Sequence, residues 1–135
     1  MLLLDNSAWA RRRHPAARER MAALLRDRRL GTCMPFLLEA GYSARSGREH
    51  EALVKDLGRL WRVEITADVE RLALEAQSEL ARIGHHRLPP TDVVIAACAH
   101  VAGGGVLHYD GDYDVLAERT KLDFVSEWLA PAGSL

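Results

Sequence analysis

Three aspartates at alternate positions, Asp110, Asp112 and Asp114 in "HYDGDYDV", come directly after the apolar run "GGGVL". Carboxylates this close repel one another and suit neither a helix nor a strand interior, so a cation or a partner must make the crowding tolerable. Three further acids interrupt apolar sequence. Asp5 ends the triplet Leu2–Leu4, Asp92 opens the almost wholly apolar "DVVIAACAHVA", and Glu39 stands among Phe36, Leu37, Leu38 and Ala40. Taken singly, these acids read as a helix cap, a first-turn charge, a solvent-facing helix edge and a hydrophilic turn. Taken together, they occupy positions that a parallel α/β sheet brings to one edge, the carboxyl ends of its strands.

Other cation and nucleophile patterns fail. A calcium loop counted from Asp110 has Val115 at its sixth position and Lys121 at its twelfth, where glycine and glutamate are required. Zinc lacks a ligand set, because Cys33 and Cys98 are isolated and "HEALV" has no second histidine. His85 and His86 read as polar loop. Gly103–Gly105 read as a helix stop before a strand, since no phosphate-binding spacing surrounds them.

The elements that must position the acids follow from periodicity. "LLL" at 2–4 predicts a buried strand, and Asp5-Asn6-Ser7 a helix start. Arginine-rich helical sequence is broken near His14-Pro15 and resumes with Met21, Leu24, Leu25 and Arg28 up to Gly31. "TCM" predicts a very short strand, and Pro35 the first turn of a helix through "PFLLEAGYSAR". Gly47 interrupts it, and Leu53, Leu57, Leu60 and Trp61 restart the helical period. "WRVEI" alternates like a strand, and Thr66 caps the helix that follows it. Thr91 caps a buried helix, "GVLHY" is a strand, "DVLAERT" a short helix, and "LDFVSEWL" has strand-like or mixed character. Strands alternating with helices predict an α/β fold with a mainly parallel sheet, and residues 1–135 read as one domain without repeat or linker.

Composition narrows the class. Hydrophobic residues at 48% and charged residues at 27% fit a globular protein. No apolar run reaches the roughly 20 residues that span a bilayer, and the N-terminus lacks a signal-peptide core, so a cytoplasmic protein without a membrane partner is expected. Two cysteines in apolar surroundings fit a reducing compartment. The net charge of −1 conceals eight arginines between Arg11 and Arg29 against Glu19 and Asp27. From Asp92 onward seven acids face only Arg119 and Lys121. This split marks either a nucleic-acid surface beside an acidic site or a solvated, arginine-rich helix face.

"LLLDNSAW", the glutamate of "PFLLEAGYSAR", "LPPTDVVIAACAHVAG" and "VLHYDGDYDVLAE" occur in an order and separation that resemble the PIN-domain family, specifically the VapC-type toxins of toxin–antitoxin pairs. The likeness runs nearly end to end, through the closing "EWLAPAGSL". It implies a three-layer α/β/α domain around a central parallel sheet and a metal-dependent endoribonuclease. It further implies a homodimer and a cognate VapB-type antitoxin. By motif, the functional acids are Asp5, Glu39, Asp92 and Asp110, with Asp112 as a further acid and Ser7 as the hydroxyl residue after the first aspartate. Mg²⁺ or Mn²⁺ suits such a set, because these hard cations need only two or three carboxylates. On this reading Asp5, Asp92, Asp110 and Asp112 hold metal, Glu39 serves a water, and Ser7 positions a carboxylate or water.

The arginines Arg11, Arg12 and Arg13, with Arg18 and Arg20, are then expected to meet RNA phosphate. An antitoxin is expected to lay apolar residues along a groove near Leu38, Tyr42, Leu53 and Leu57 and to insert an arginine among the acids. The competing expectations are a non-catalytic PIN-like module that holds a partner protein, and a PIN nuclease of general RNA processing without an antitoxin.

Overall fold

A computed structural model describes residues 1–135. Five strands, all parallel, form one sheet: β1 (Leu2–Leu4), β2 (Leu30–Cys33), β3 (Trp61–Val63), β4 (Gly105–His108) and β5 (Val125–Trp128). Their order is β3-β2-β1-β4-β5. Helices α1 (Asn6–Trp9), α2 (Pro15–Arg26), α3 (Met34–Tyr42) and α4 (Gly47–Leu57) follow the first two strands, and α5 (Ala67–Arg82), α6 (Pro90–Ala102) and α7 (Asp112–Arg119) follow later ones. This is the helix-flanked parallel α/β sheet expected from the sequence.

The chain builds outward from β1 to β3 and then returns to place β4 on the other side of β1. That reversal is a topological switch point, where neighbouring loops diverge and leave a crevice at the carboxyl ends of the strands. Leu4 of β1 lies in register with Leu107 of β4, and the Asp5 N–H donates to the Leu107 carbonyl at 3.1 Å. Asp5 and Asp110, far apart in sequence, thus leave the sheet side by side.

The core explains why the short strands hold. Leu3, Leu4, Leu30, Val106 and Leu107 are buried, and α6 packs Ile95 with the small Ala96, Ala97 and Ala99 beside them. Each of these leucine, isoleucine and valine side chains contributes on the order of 1.5–3 kcal/mol on burial. Cys33 and Cys98 are both buried free thiols.

Local differences from expectation have local causes. Residues Leu30–Cys33 form β2, while Met34 is already helical because Pro35 suits the first turn of α3. Ser43 ends α3 and Ser46 caps α4, accepting from the Glu49 N–H, so the break precedes Gly47. α4 stops at Leu57, leaving Leu60 in a turn and Trp61 in β3. Thr91 does not cap α6. Pro89 holds the cap position and Pro90 enters the first turn, where its missing N–H costs nothing. The acidic run is helical from Asp112 onward, since the positive end of the α7 dipole favours Asp112 and Asp114 in its first turn.

The triple glycine divides its labour. Gly103 takes the left-handed conformation that ends α6 (φ 67°), whereas a Cβ on Gly105 would lie 2.5 Å from the Val125 carbonyl oxygen and 2.8 Å from the Val125 Cβ. Gly105→Ala must therefore push β5 away from β4. We expect a loss of roughly 1–3 kcal/mol in urea denaturation, a cost typical of overpacking, and an unchanged midpoint would refute that close approach.

Candidate metal centre

The switch-point crevice collects the acids. Asp5 is the cap of α1, and its Oδ2 accepts from the Ser7 N–H at 2.9 Å and from the Ser7 hydroxyl at 2.5 Å. Its Oδ1 accepts from the Tyr113 hydroxyl at 2.7 Å. Ser7 Oγ in turn accepts from the Tyr109 N–H at 2.9 Å, tying the end of β1 to the end of β4. Asp92, 6% exposed in the first turn of α6, has Oδ1 3.3 Å from the same Tyr113 hydroxyl, and its Oδ2 is buried without any partner. Carboxylate oxygens of Asp92, Asp110 and Asp112 lie within 4.8 Å of one another.

Electrostatics follow from that convergence. Burial, with Asp5, Asp110 and Asp112 close by, pushes the Asp92 carboxyl up to about 7. Burial and Asp110 also raise Asp112. A buried carboxylate with one oxygen that no donor reaches, clustered with two more carboxylates, is what a hard divalent cation satisfies, since such a cation takes oxygen ligands and neutralises their repulsion. The donor set fits such an ion.

Asp114 is not part of the cluster. Two positions along a helix turn a side chain to a different face, and Asp114 accepts from Ser126 Oγ at 2.6 Å and from Trp128 Nε1 at 2.9 Å on β5. Ser126 Oγ also lies 2.7 Å from Nε2 of buried His108, whose Nδ1 accepts from the Asp110 N–H at 3.1 Å. The Asp110 donor fixes the proton of neutral His108 on Nε2, and burial lowers the histidine pKa to keep it neutral. A chain of hydrogen bonds thus runs from Asp114 through Ser126 and His108 to the backbone of Asp110. Sequence reasoning missed His108, Tyr113, Ser126 and Trp128. The pairing of β4 with β5, which sets His108 beside Trp128, was the needed information.

Glu39 stands apart from this group. It is half-buried on α3 and lines a cleft of about 500 Å³ with Asn6, Pro35, Tyr42 and Thr91, next in sequence to Asp5 and Asp92. Arg11 lies at the lip, its guanidinium 4.5 Å from the centre of the Tyr109 ring and donating to the Ser7 carbonyl at 2.8 Å. Arg12 stacks on Trp9 at 4.1 Å, and Arg13 is exposed. Arg20 is otherwise engaged: it donates to the carbonyls of Trp128 at 2.5 Å and Leu129 at 2.8 Å and to Glu127 at 2.5 Å. It clamps α2 to the end of β5, which corrects the expectation that it meets phosphate. Between α3 and α4 runs an apolar groove of about 840 Å³ lined by Leu37, Leu38, Tyr42, Val54 and Leu57. Leu53, expected there, packs against the core instead.

A parallel α/β fold with carboxylates converging at its switch point defines a class of domain with an acidic site suited to a metal ion. The chain belongs to the PIN-domain family, whose description "PIN domain" matches residues 2–119. It is 37% identical over 135 residues to Ribonuclease VapC18 of Mycobacterium tuberculosis, covering 98% of this chain and 97% of that one. It is 35% identical to Ribonuclease VapC51 of the same organism, covering 98% and 96%. Among solved structures, the fold is similar to the DNA-bound VapBC of Salmonella typhimurium (TM-score 0.73, 23% identity, 96% of this chain and 100% of that chain). It is also similar to VapBC2 of Rickettsia felis bound to a promoter DNA fragment (TM-score 0.71, 16% identity, 93% and 98%).

The raised Asp92 has a thermodynamic consequence for metal-free protein. The folded state keeps a proton up to about pH 7 that an ordinary aspartate, at 3.8, has already lost, so stability falls as pH rises through that window. With chelator present, the stability difference between wild type and Asp92→Asn should therefore swing toward the variant by on the order of a few kcal/mol from about pH 4 to about pH 7. Urea titrations at the two pH values measure it, and a pH-independent difference would contradict the crowding.

Proposed function

We propose that this chain is a metal-dependent endoribonuclease and the toxin of a VapBC-type toxin–antitoxin pair, acting in the cytoplasm. One observation carries the reading: Asp92, with a buried oxygen that no donor reaches, converges with Asp110 and Asp112 at the switch point, carboxylate oxygens of the three lying within 4.8 Å of one another. The ribonuclease names of the relatives support the substrate, and the VapBC complexes among the structural neighbours support the partner.

In this reading Asp92, Asp110 and Asp112 hold Mg²⁺ or Mn²⁺, and Asp5 completes the charge of the site from β1. A divalent ion there supplies Lewis-acid stabilisation of charge on the attacked phosphate and makes water a competent nucleophile at neutral pH. The chain's own groups do the rest. Ser7 holds the Asp5 carboxylate by two bonds to Oδ2. Glu39 orients water from the adjoining cleft. Arg11, fixed against Tyr109, meets an incoming phosphate at the lip, with Arg12 and Arg13 extending the basic track. A VapB-type antitoxin anchors apolar residues in the α3–α4 groove, where Tyr42 is 92% exposed, and inserts an arginine among the acids. A homodimer completes the assembly.

The decisive assay incubates RNA with purified protein and Mg²⁺ or Mn²⁺ beside Asp92→Asn. Wild type should cut, and the folded variant should fall to background. Cleavage retained by the variant overturns the site, and an inert wild type with intact metal binding favours a partner-holding module. Neutralising Arg11 and Arg12 together should also flatten the logarithmic salt dependence of RNA binding, by about 0.7 for each single-strand phosphate that is no longer neutralised. Arg20→Ala should lower stability and leave that slope alone.

A further inference from the structure

Tyr113 is the second residue of α7 and is wholly buried, 0% exposed. Its ring stacks on His108 at 4.9 Å with an interplanar angle of 27°, so the phenol has no freedom to swing. The hydroxyl ends between two buried carboxylates, 2.7 Å from Asp5 Oδ1 and 3.3 Å from Asp92 Oδ1. A phenol has one proton to donate and two acceptors here to receive it. Burial and the flanking carboxylates push its pKa well up, which keeps that proton in place.

The two carboxylates depend on it unequally. Asp5 has Ser7 on its other oxygen, by backbone and by side chain. Asp92 has no side-chain hydrogen bond apart from Tyr113, and its Oδ2 has none. Tyr113 is thus the one side chain hydrogen-bonded to Asp92, and it engages Oδ1.

We infer that Tyr113 is a positioning residue of the metal centre: its hydroxyl bridges Asp5 and Asp92 and presents Asp92 Oδ2 to the cation. This deepens the proposed metal-dependent reading and rests on it for the identity of the ligand. The physical reason is preorganisation. A donor wedged between two anions reduces their repulsion before any cation arrives and holds them at a fixed separation, and outer partners of this kind set ligand orientation and metal affinity.

Tyr113→Phe keeps the ring, its stacking and its volume while deleting the hydroxyl. By calorimetry, Mn²⁺ affinity should fall roughly 10- to 100-fold, the usual effect of losing an outer partner. At saturating Mn²⁺, kcat for RNA cleavage should drop while KM for RNA stays near wild type, because the basic rim is untouched. In an Asp92→Asn background, which has no Asp92 carboxylate for the phenol to orient, the same substitution should cost less than about threefold in the residual Mn²⁺ affinity. A role in packing alone would give equal losses in both backgrounds, and that result overturns the inference, as does an Mn²⁺ isotherm that Tyr113→Phe leaves unchanged.

A second measurement needs no variant fold. In fluorotyrosine-labelled wild-type protein, the ¹⁹F resonance of Tyr113 should move with Mg²⁺ along the binding isotherm, while those of Tyr42 and Tyr109 move less. A Tyr113 signal indifferent to Mg²⁺ also overturns the inference. Mn²⁺ affinity that depends on Tyr113 in a protein that cuts no RNA would remove the nuclease reading and leave the positioning role standing.

Discussion

Mutual repulsion among carboxylates in a half-dry crevice is the constraint to which the rest of the structure answers. Asp92 is buried beside Asp5, Asp110 and Asp112, and burial is the largest single cause of its raised pKa. A charge removed from water must be paired or neutralised. The fold meets the demand with fixed donors and dipoles. Asp5 receives the Ser7 N–H, the Ser7 hydroxyl and the Tyr113 hydroxyl. Asp92 and Asp112 stand in the first turns of α6 and α7, where the helix dipole is positive. The one buried side-chain oxygen without a partner, Asp92 Oδ2, marks where the chain's own donors stop.

Rigid parts and exposed parts serve different ends. The acids are fixed by a strand end, a buried helix and a network running from Asp114 through Ser126 and His108 to the Asp110 backbone. The clamp of Arg20 on the Trp128 and Leu129 carbonyls secures β5, and so the far end of that network. Around this frame lie groups with solvent on one side: Arg11 over Tyr109, Arg12 over Trp9, and the apolar groove between α3 and α4. The converging acids, the stacked arginines and the apolar groove thus occupy distinct surfaces, the first held rigidly by the fold and the other two open to solvent.

Much of this was legible in the sequence, because local physics decides it. Alternating apolar and helical segments announced a parallel α/β fold. Asp5 after "LLL" and Asp110 after "VLHY" mark strand ends, and Asp92 at the head of an apolar helix marks a charge that burial makes costly. Thr66 as a cap is equally local: a hydroxyl accepting the Val69 N–H depends on nothing distant.

What only the tertiary structure decided depends on side chains from separate elements meeting. Asp114 looked like a third member of the acidic run, yet its helical angle turns it to Ser126 and Trp128 on β5. Arg20 looked like one more basic residue until β5 brought the Trp128 and Leu129 carbonyls to it. Leu53 sits on the core side of α4 while Val54 faces the groove, a rotation set by how the helix packs. Tyr113 reads as an ordinary aromatic in a helix, and its hydroxyl acquires meaning only where α7 brings it between Asp5 and Asp92. Sequence alone determined which residue types occupy strand ends and buried helix heads, because those choices answer to hydrophobic period and capping. Strand order and helix rotation decided which acids face one another and which donors reach them, because a hydrogen bond is a matter of ångströms between atoms that lie far apart along the chain.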